Sequence, residues 1–145
     1  MMNKQAKILI IEDDVDLVEA MKVTLGAKNY EVIAAYDGKE GLKKAKGETP
    51  NLIILDVIMR SETEGFNVSY DLRKDPELCY IPILMVTAIA EKTGFSFSPD
   101  TDGEFLPVDD YVEKPVRHDD LLKRVEKLLK LKKEEINIRG RKSIL

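Results

Sequence analysis

Asn51-Leu52-Ile53-Ile54-Leu55-Asp56 is the stretch on which the fold turns. Its apolar residues fill both alternations and then stop at an acid. A strand with one wet face would alternate apolar and polar. A run apolar on both alternations suits a strand covered on both faces, as in a parallel sheet layered by helices. The pattern recurs on either side. Lys7-Ile8-Leu9-Ile10-Ile11 runs into Glu12-Asp13-Asp14, and Ile81-Pro82-Ile83-Leu84-Met85-Val86 runs into Thr87. Residues 30–34 and 110–113 are more polar and read as strands nearer the sheet edges.

Helical patterns fill the intervals. Asp14 is placed to cap a helix from 15 to about 27, with Val18, Met21 and Leu25 on one face. Asp37-Gly38-Lys39-Glu40 opens a second, carrying Leu42 and Ala45 inward. A third runs from Phe66 to about Lys74 and stops before Pro76. From His118, the residues Leu121, Leu122, Val125, Leu128 and Leu129 make a strong amphipathic helix, expected to end near 133. Strands alternating with helices predict an open, doubly wound α/β domain.

Length and composition agree. A chain of 145 residues, 43% hydrophobic and 34% charged, is of one-domain size with a charged surface. One cysteine, Cys79, excludes an internal disulfide framework, and no Cys/His cluster suggests zinc. The apolar runs are far shorter than a bilayer span, and the N-terminus lacks a signal-peptide pattern. No membrane association and a cytoplasmic location are expected. The net charge of −4 divides unevenly, with residues 121–145 at +6 and residues 1–120 at −10. An acidic body disfavours general nucleic-acid binding, so direct DNA binding is not expected.

In such sheets ligands bind beyond the carboxyl ends of the strands. Glu12, Asp13 and Asp14 follow the first strand, Asp56 the third, Thr87 the fourth and Lys114 the fifth. Carboxylates gathered at one edge repel each other, and either raised pKa values or a bound cation relieves them. Oxygen donors without His or Cys favour a hard ion, Mg²⁺ first. A hydroxyl and an ammonium beside that ion would complete a cage for a tetrahedral anion, with Asp56 as the nucleophile forming an aspartyl phosphate. Asp14 alone reads as a helix cap.

In combination, KILIIEDD (7–14), LIILDVIM (52–59), PILMVTA (82–88) and DYVEKPV (110–116) resemble the receiver domain of two-component response regulators. The resemblance covers residues 4–133. It implies a stand-alone, flavodoxin-like doubly wound five-stranded parallel sheet in the order 2-1-3-4-5. It also implies a phosphoacceptor switch in which Asp56 takes a phosphoryl group from a histidine kinase or small phosphodonor with Mg²⁺. Asp13 then matches the direct ligand of the ion, Glu12 its partner acid, and Ile58 the residue lending a backbone carbonyl. Lys114 matches the cation that pairs with the phosphoryl oxygens. Thr87 and Tyr111 match the switch pair. The implied partners are a sensor histidine kinase or phosphotransfer protein and a downstream protein target, with homodimerisation left open. Such a chain would catalyse its own phosphorylation and dephosphorylation but act mainly as a signalling protein.

The chain departs from the family pattern in places. Arg60 stands where a proline is usual, the following glycine comes one place late at Gly65, and Thr87 to Lys114 spans 27 positions. Residues 94–107 hold Phe95, Phe97 and Phe105 with two prolines and no helical period, so the fourth helix is expected to be irregular or shortened. Residues 134–145 read as a basic tail without an output domain. Two other functions fit the same residue types: a Mg²⁺-dependent aspartyl-phosphate phosphatase and a pseudo-receiver that binds without phosphorylation. The first usually carries a DxD-type motif after its first strand, whereas here the isolated Asp follows the third. The complete set Glu12, Asp13, Asp56, Thr87 and Lys114 argues against the second.

Overall fold

The computed structural model describes residues 5–56, 64–87 and 108–144. The chain order is β1 (Lys7–Ile11), α1 (Val15–Gly26), β2 (Glu31–Ala35), α2 (Gly38–Glu48), β3 (Leu52–Asp56), α3 (Glu64–Lys74), β4 (Ile83–Thr87), β5 (Asp110–Glu113) and α4 (His118–Ile144). The strands form one sheet in the order β2-β1-β3-β4-β5, and every pairing is parallel. The sheet is the expected doubly wound one. Its two more polar strands, β2 and β5, are the edges.

Burial explains why the central strands carry no polar alternation. On one face Ile8, Ile10, Leu52, Ile54, Leu84 and Val86 pack with Val18, Met21 and Leu25 of α1 and with Leu121, Val125 and Leu128 of α4. On the other, Leu9, Ile11, Ile53, Leu55 and Ile83 pack with Ala45 of α2 and with Val68 and Leu72 of α3. Each of β1 and β3 therefore feeds two cores at once. A fully buried aliphatic side chain contributes about 1.5–3 kcal/mol, so the shared central strands are the densest source of stability.

Capping sets the helix starts. Asp14 Oδ1 accepts from the amides of Asp16 at 3.1 Å and Leu17 at 3.2 Å, as expected of an N-cap. Asp37 Oδ1 accepts from Glu40 N at 2.8 Å, and Glu40 Oε1 accepts in return from Tyr36 N at 2.8 Å. Two elements differ from the sequence reading. α3 starts at Glu64 and takes in Gly65, two residues earlier than expected; an acidic first residue suits a helix N-terminus. α4 does not stop near 133 but continues to Ile144, so the basic tail is helical over most of its length. Periodicity ends where the apolar stripe ends, yet an established helix needs only adequate propensity to continue. Residues 132–144 contain no proline and many Lys, Glu and Arg. The charged loop around Arg60 and the segment 94–107 lie outside the described residues.

Gly41 shows how closely α2 lies on β1. A Cβ at this position would stand 2.6 Å from Cδ1, 2.8 Å from Cγ1 and 2.9 Å from Cγ2 of Ile11. Ile11 is completely buried and has little room to give. Gly47, in the same helix, has nothing within 4 Å of such a Cβ. Helix propensity favours alanine at both sites by about 1 kcal/mol, and overpacking at Gly41 costs about 1–3 kcal/mol. Gly41→Ala is therefore expected to lower stability by about 1 kcal/mol, while Gly47→Ala raises it by up to ~1 kcal/mol. Urea unfolding of the two variants measures both, and a stabilised Gly41→Ala would contradict the packing of α2.

Candidate functional site

Register brings the strand ends together. Ile11 pairs with Leu55, so Glu12, the next residue, arrives beside Asp56. Asp56 pairs with Val86, so Thr87 lies one step beyond. Thr87 pairs with Glu113, and Lys114 follows. Glu12, Asp56, Thr87 and Lys114 thus leave four neighbouring strands at one edge of the sheet. An all-parallel sheet makes this convergence possible because every strand ends on the same side.

Carboxylate oxygens of Glu12, Asp13 and Asp56 all lie within 4.8 Å of one another. Glu12 and Asp56 are each 1% exposed, whereas Asp13 is open to solvent. Lys114 Nζ stands 3.0 Å from Glu12 Oε1 as an ion pair and donates to Asp56 Oδ2 at 3.4 Å. Glu12 Oε2 accepts from Asp14 N at 3.4 Å. Glu12 Oε1, despite its ion-pair contact, has no aligned hydrogen bond among the described residues.

The charges respond to this crowding. Burial, reinforced by the adjoining Asp56, pushes the Glu12 carboxyl up to about 7 against the attraction of Lys114. Asp13 is also raised, first by loss of solvent and then by Glu12. Burial pulls Lys114 downward, but Glu12 and Asp56 outweigh it and hold the ammonium above its ordinary value. The edge is therefore short of positive charge. Oxygen-only donors, with a buried carboxylate oxygen that no aligned donor satisfies, fit a hard divalent cation.

The structure brings Glu12, Asp13, Asp56 and Lys114 into one cluster. It places the backbone of Thr87 at the adjacent strand end, its side chain lying outside the described residues. Tyr111 lies in β5, half-buried, three residues before Lys114. Ile58 lies outside the described residues. The sequence reading assigned Lys114 to an incoming anion and missed that Glu12 stands closer to it than Asp56 does. No spacing rule carries that detail, because it depends on where side chains from three separate strands meet in space.

Residues 8–126 match the family described as the response regulator receiver domain. The chain is 37% identical over 129 residues to the alkaline phosphatase synthesis transcriptional regulatory protein PhoP of Bacillus subtilis, covering 89% of this chain and 50% of PhoP. It is 35% identical over 124 residues to the DNA-binding dual master transcriptional regulator RpaA of Synechocystis, covering 86% of this chain and 49% of RpaA. The chain thus spans about half the length of these relatives. Among solved structures, chemotaxis protein CheY4 of Vibrio cholerae superposes with a TM-score of 0.72 at 30% identity, over 85% of this chain and 98% of that one. The CheY-like receiver domain of Methanospirillum hungatei gives a TM-score of 0.74 at 26% identity, over 92% and 99%. The expectation that DNA is not bound directly finds no support here, since RpaA is named as DNA-binding. No described helix is long and apolar enough to cross a membrane.

Glu12 ties stability to pH. Its carboxyl titrates near 7 in the folded chain against an ordinary value of 4.5, so between those values the folded state holds the extra proton. Stability then falls as pH rises through this window, and the deficit is complete above about 7. Glu12→Gln cannot ionise and is expected to be more stable than the parent at pH 8 by about 1–3 kcal/mol, with little difference at pH 4.5. Urea unfolding across this range checks it, and equal pH slopes in both proteins would remove Glu12 as the source.

Proposed function

The chain belongs to the response regulator receiver family, and on that premise we propose that Asp56 is its phosphoacceptor and residues 4–133 its receiver domain. The observation that supports this most is the buried Asp56 carboxylate held 3.4 Å from the Lys114 ammonium, within a cluster of acids. A carboxylate fixed against a cation at the mouth of a sheet is positioned for in-line attack, and positioning is most of what phosphoryl transfer asks of a protein.

In this reading an Asp56 oxygen attacks the phosphorus of a phosphohistidine on a sensor kinase or phosphotransfer protein, or of a small acyl phosphate. The new P–O bond forms as the bond to the leaving imidazole or carboxylate breaks. Lys114 offsets charge on the equatorial oxygens. Asp13, Glu12 and Asp56 would hold Mg²⁺, with the Ile58 carbonyl completing the protein's share, and the ion when bound supplies further charge neutralisation. Glu12 can give up its proton near neutral pH to meet that ion, since its carboxyl titrates at about 7.

The product adds nearly two negative charges at Asp56. Thr87, at the neighbouring strand end, follows the new oxygens. Tyr111, on the strand beside it, turns inward in response, and the altered surface is read by a downstream protein. Transcriptional control is named for PhoP and RpaA, proteins about twice the matched length. The proposal assigns this chain the receiving step.

Intact-mass measurement after incubation with acetyl phosphate and Mg²⁺ tests the proposal. One added phosphoryl group is expected on the parent and none on Asp56→Asn. Asp13→Ala is expected to lose at least about tenfold in the rate of uptake, since the ion loses its exposed ligand. Uptake by Asp56→Asn would reject the nucleophile, and undiminished uptake by Asp13→Ala in chelator would reject the ion.

A further inference from the structure

Arg73 stands in the last turn of α3, and its side chain is 19% exposed. Nη1 donates to the carbonyls of Cys79 at 3.0 Å and Ile81 at 2.7 Å. Nη2 donates to Asp109 Oδ2 at 2.6 Å. The same Oδ2 accepts from Ile83 N at 2.8 Å, and Asp109 N donates to Ile83 O at 2.9 Å. One guanidinium therefore ties the turn that feeds β4 to the residue that feeds β5. These are the strands whose far ends carry Thr87 and Lys114.

This tie acts on β5 alongside a second one, the Arg124 guanidinium of α4 on Asp110 Oδ1 at 2.8 Å. β5 has four residues and, among the described residues, lies at the sheet edge and pairs only with β4, from Leu84↔Asp110 to Thr87↔Glu113. So short a ladder resists sliding weakly. A one-residue slip would carry Lys114 about 3.3 Å along the strand and turn its neighbours to the opposite face. The Asp109 carboxylate opposes such a slip, because one of its oxygens is held between the Arg73 guanidinium and the Ile83 amide.

We infer that Arg73 is a positioning residue for Lys114: by gripping Asp109 at the start of β5 it fixes the register that brings the ammonium to Glu12 and Asp56. Its grip on Asp109 lies five residues before Lys114, about 17 Å along an extended strand. The value of that placement to a phosphoryl group rests on the function proposed above, whereas the placement itself does not.

Residue-resolved lysine labelling of the full chain, read by mass spectrometry, reports on Lys114 directly. In the parent, Lys114 should label slowly because its ammonium is engaged by two acids. Arg73→Met is expected to raise its labelling rate by at least about tenfold, the loss of a charged hydrogen bond, with the exposed Lys130 unchanged as reference. Arg73→Lys should recover part of the protection, since a lysine keeps the charge without the fork. Lys114 labelling at the parental rate in folded Arg73→Met overturns the inference, as does an equal rise at every lysine. Should Arg73→Met not fold, Asp109→Asn carries the test: it keeps an acceptor for Ile83 N but loses the charge, and a parental Lys114 rate there overturns the inference equally. Phosphoryl uptake supplies the second readout. Arg73→Met should slow uptake in the parental background and not in Lys114→Ala, and the same slowing in both would show that Arg73 does not act through Lys114. Labelling that responds to Arg73 in a chain that takes up no phosphoryl group upholds the positioning role and rejects Asp56 as phosphoacceptor.

Discussion

Three carboxylates that each bring one oxygen within 4.8 Å of the others, two of them buried, cannot all carry charge without compensation. At such separations each like-charged pair costs about 4 kcal/mol near a protein surface. The chain answers with an ammonium that meets two of the acids and with a carboxyl that keeps its proton near neutrality. Replacing the two buried acids, Glu12 and Asp56, by apolar groups would relieve the repulsion.

The rest of the fold can be read as support for that edge. Parallel strands end together, so acids from β1 and β3 and a lysine from β5 share one opening although they are distant in the chain. Parallel strands also demand cover on both faces, and α1 with α4, and α2 with α3, provide it. The close seat of α2 on Ile11 fixes the strand residue just before Glu12. A buried acid placed one residue past such a contact has little freedom to swing away from its neighbours.

Much of this was legible in the sequence because it is local. Residues 52–55 fill both alternations and stop at Asp56, and the same break occurs at Glu12 and Thr87, so the strand ends declare themselves. Asp14 reads as a cap from its place alone. What was not legible depends on partners far apart in the chain. Arg73 reads as a surface residue at the end of a helix, yet its partner Asp109 lies 36 positions away and its other acceptors are backbone carbonyls, which have no sequence signature. The bond between Thr24 and His118 joins α1 to the start of α4 across 94 positions. The order of the strands came from likeness to a family, since periodicity does not say which strand neighbours which. The full length of α4 escaped because its apolar stripe ends before the helix does.

That length has a mechanical consequence. Leu121, Val125 and Leu128 seat α4 on the sheet, while Leu131 is already 40% exposed. The backbone then holds its helical course to Ile144, about 20 Å further at 1.5 Å per residue. A straight helix enlarges a small rotation in proportion to its length. A tilt of about 5° at the seat, too small to disturb side-chain packing, sweeps the far end through roughly 2 Å. The seat begins at His118, four residues after Lys114, so the helix that extends furthest is also the one that starts beside the ammonium.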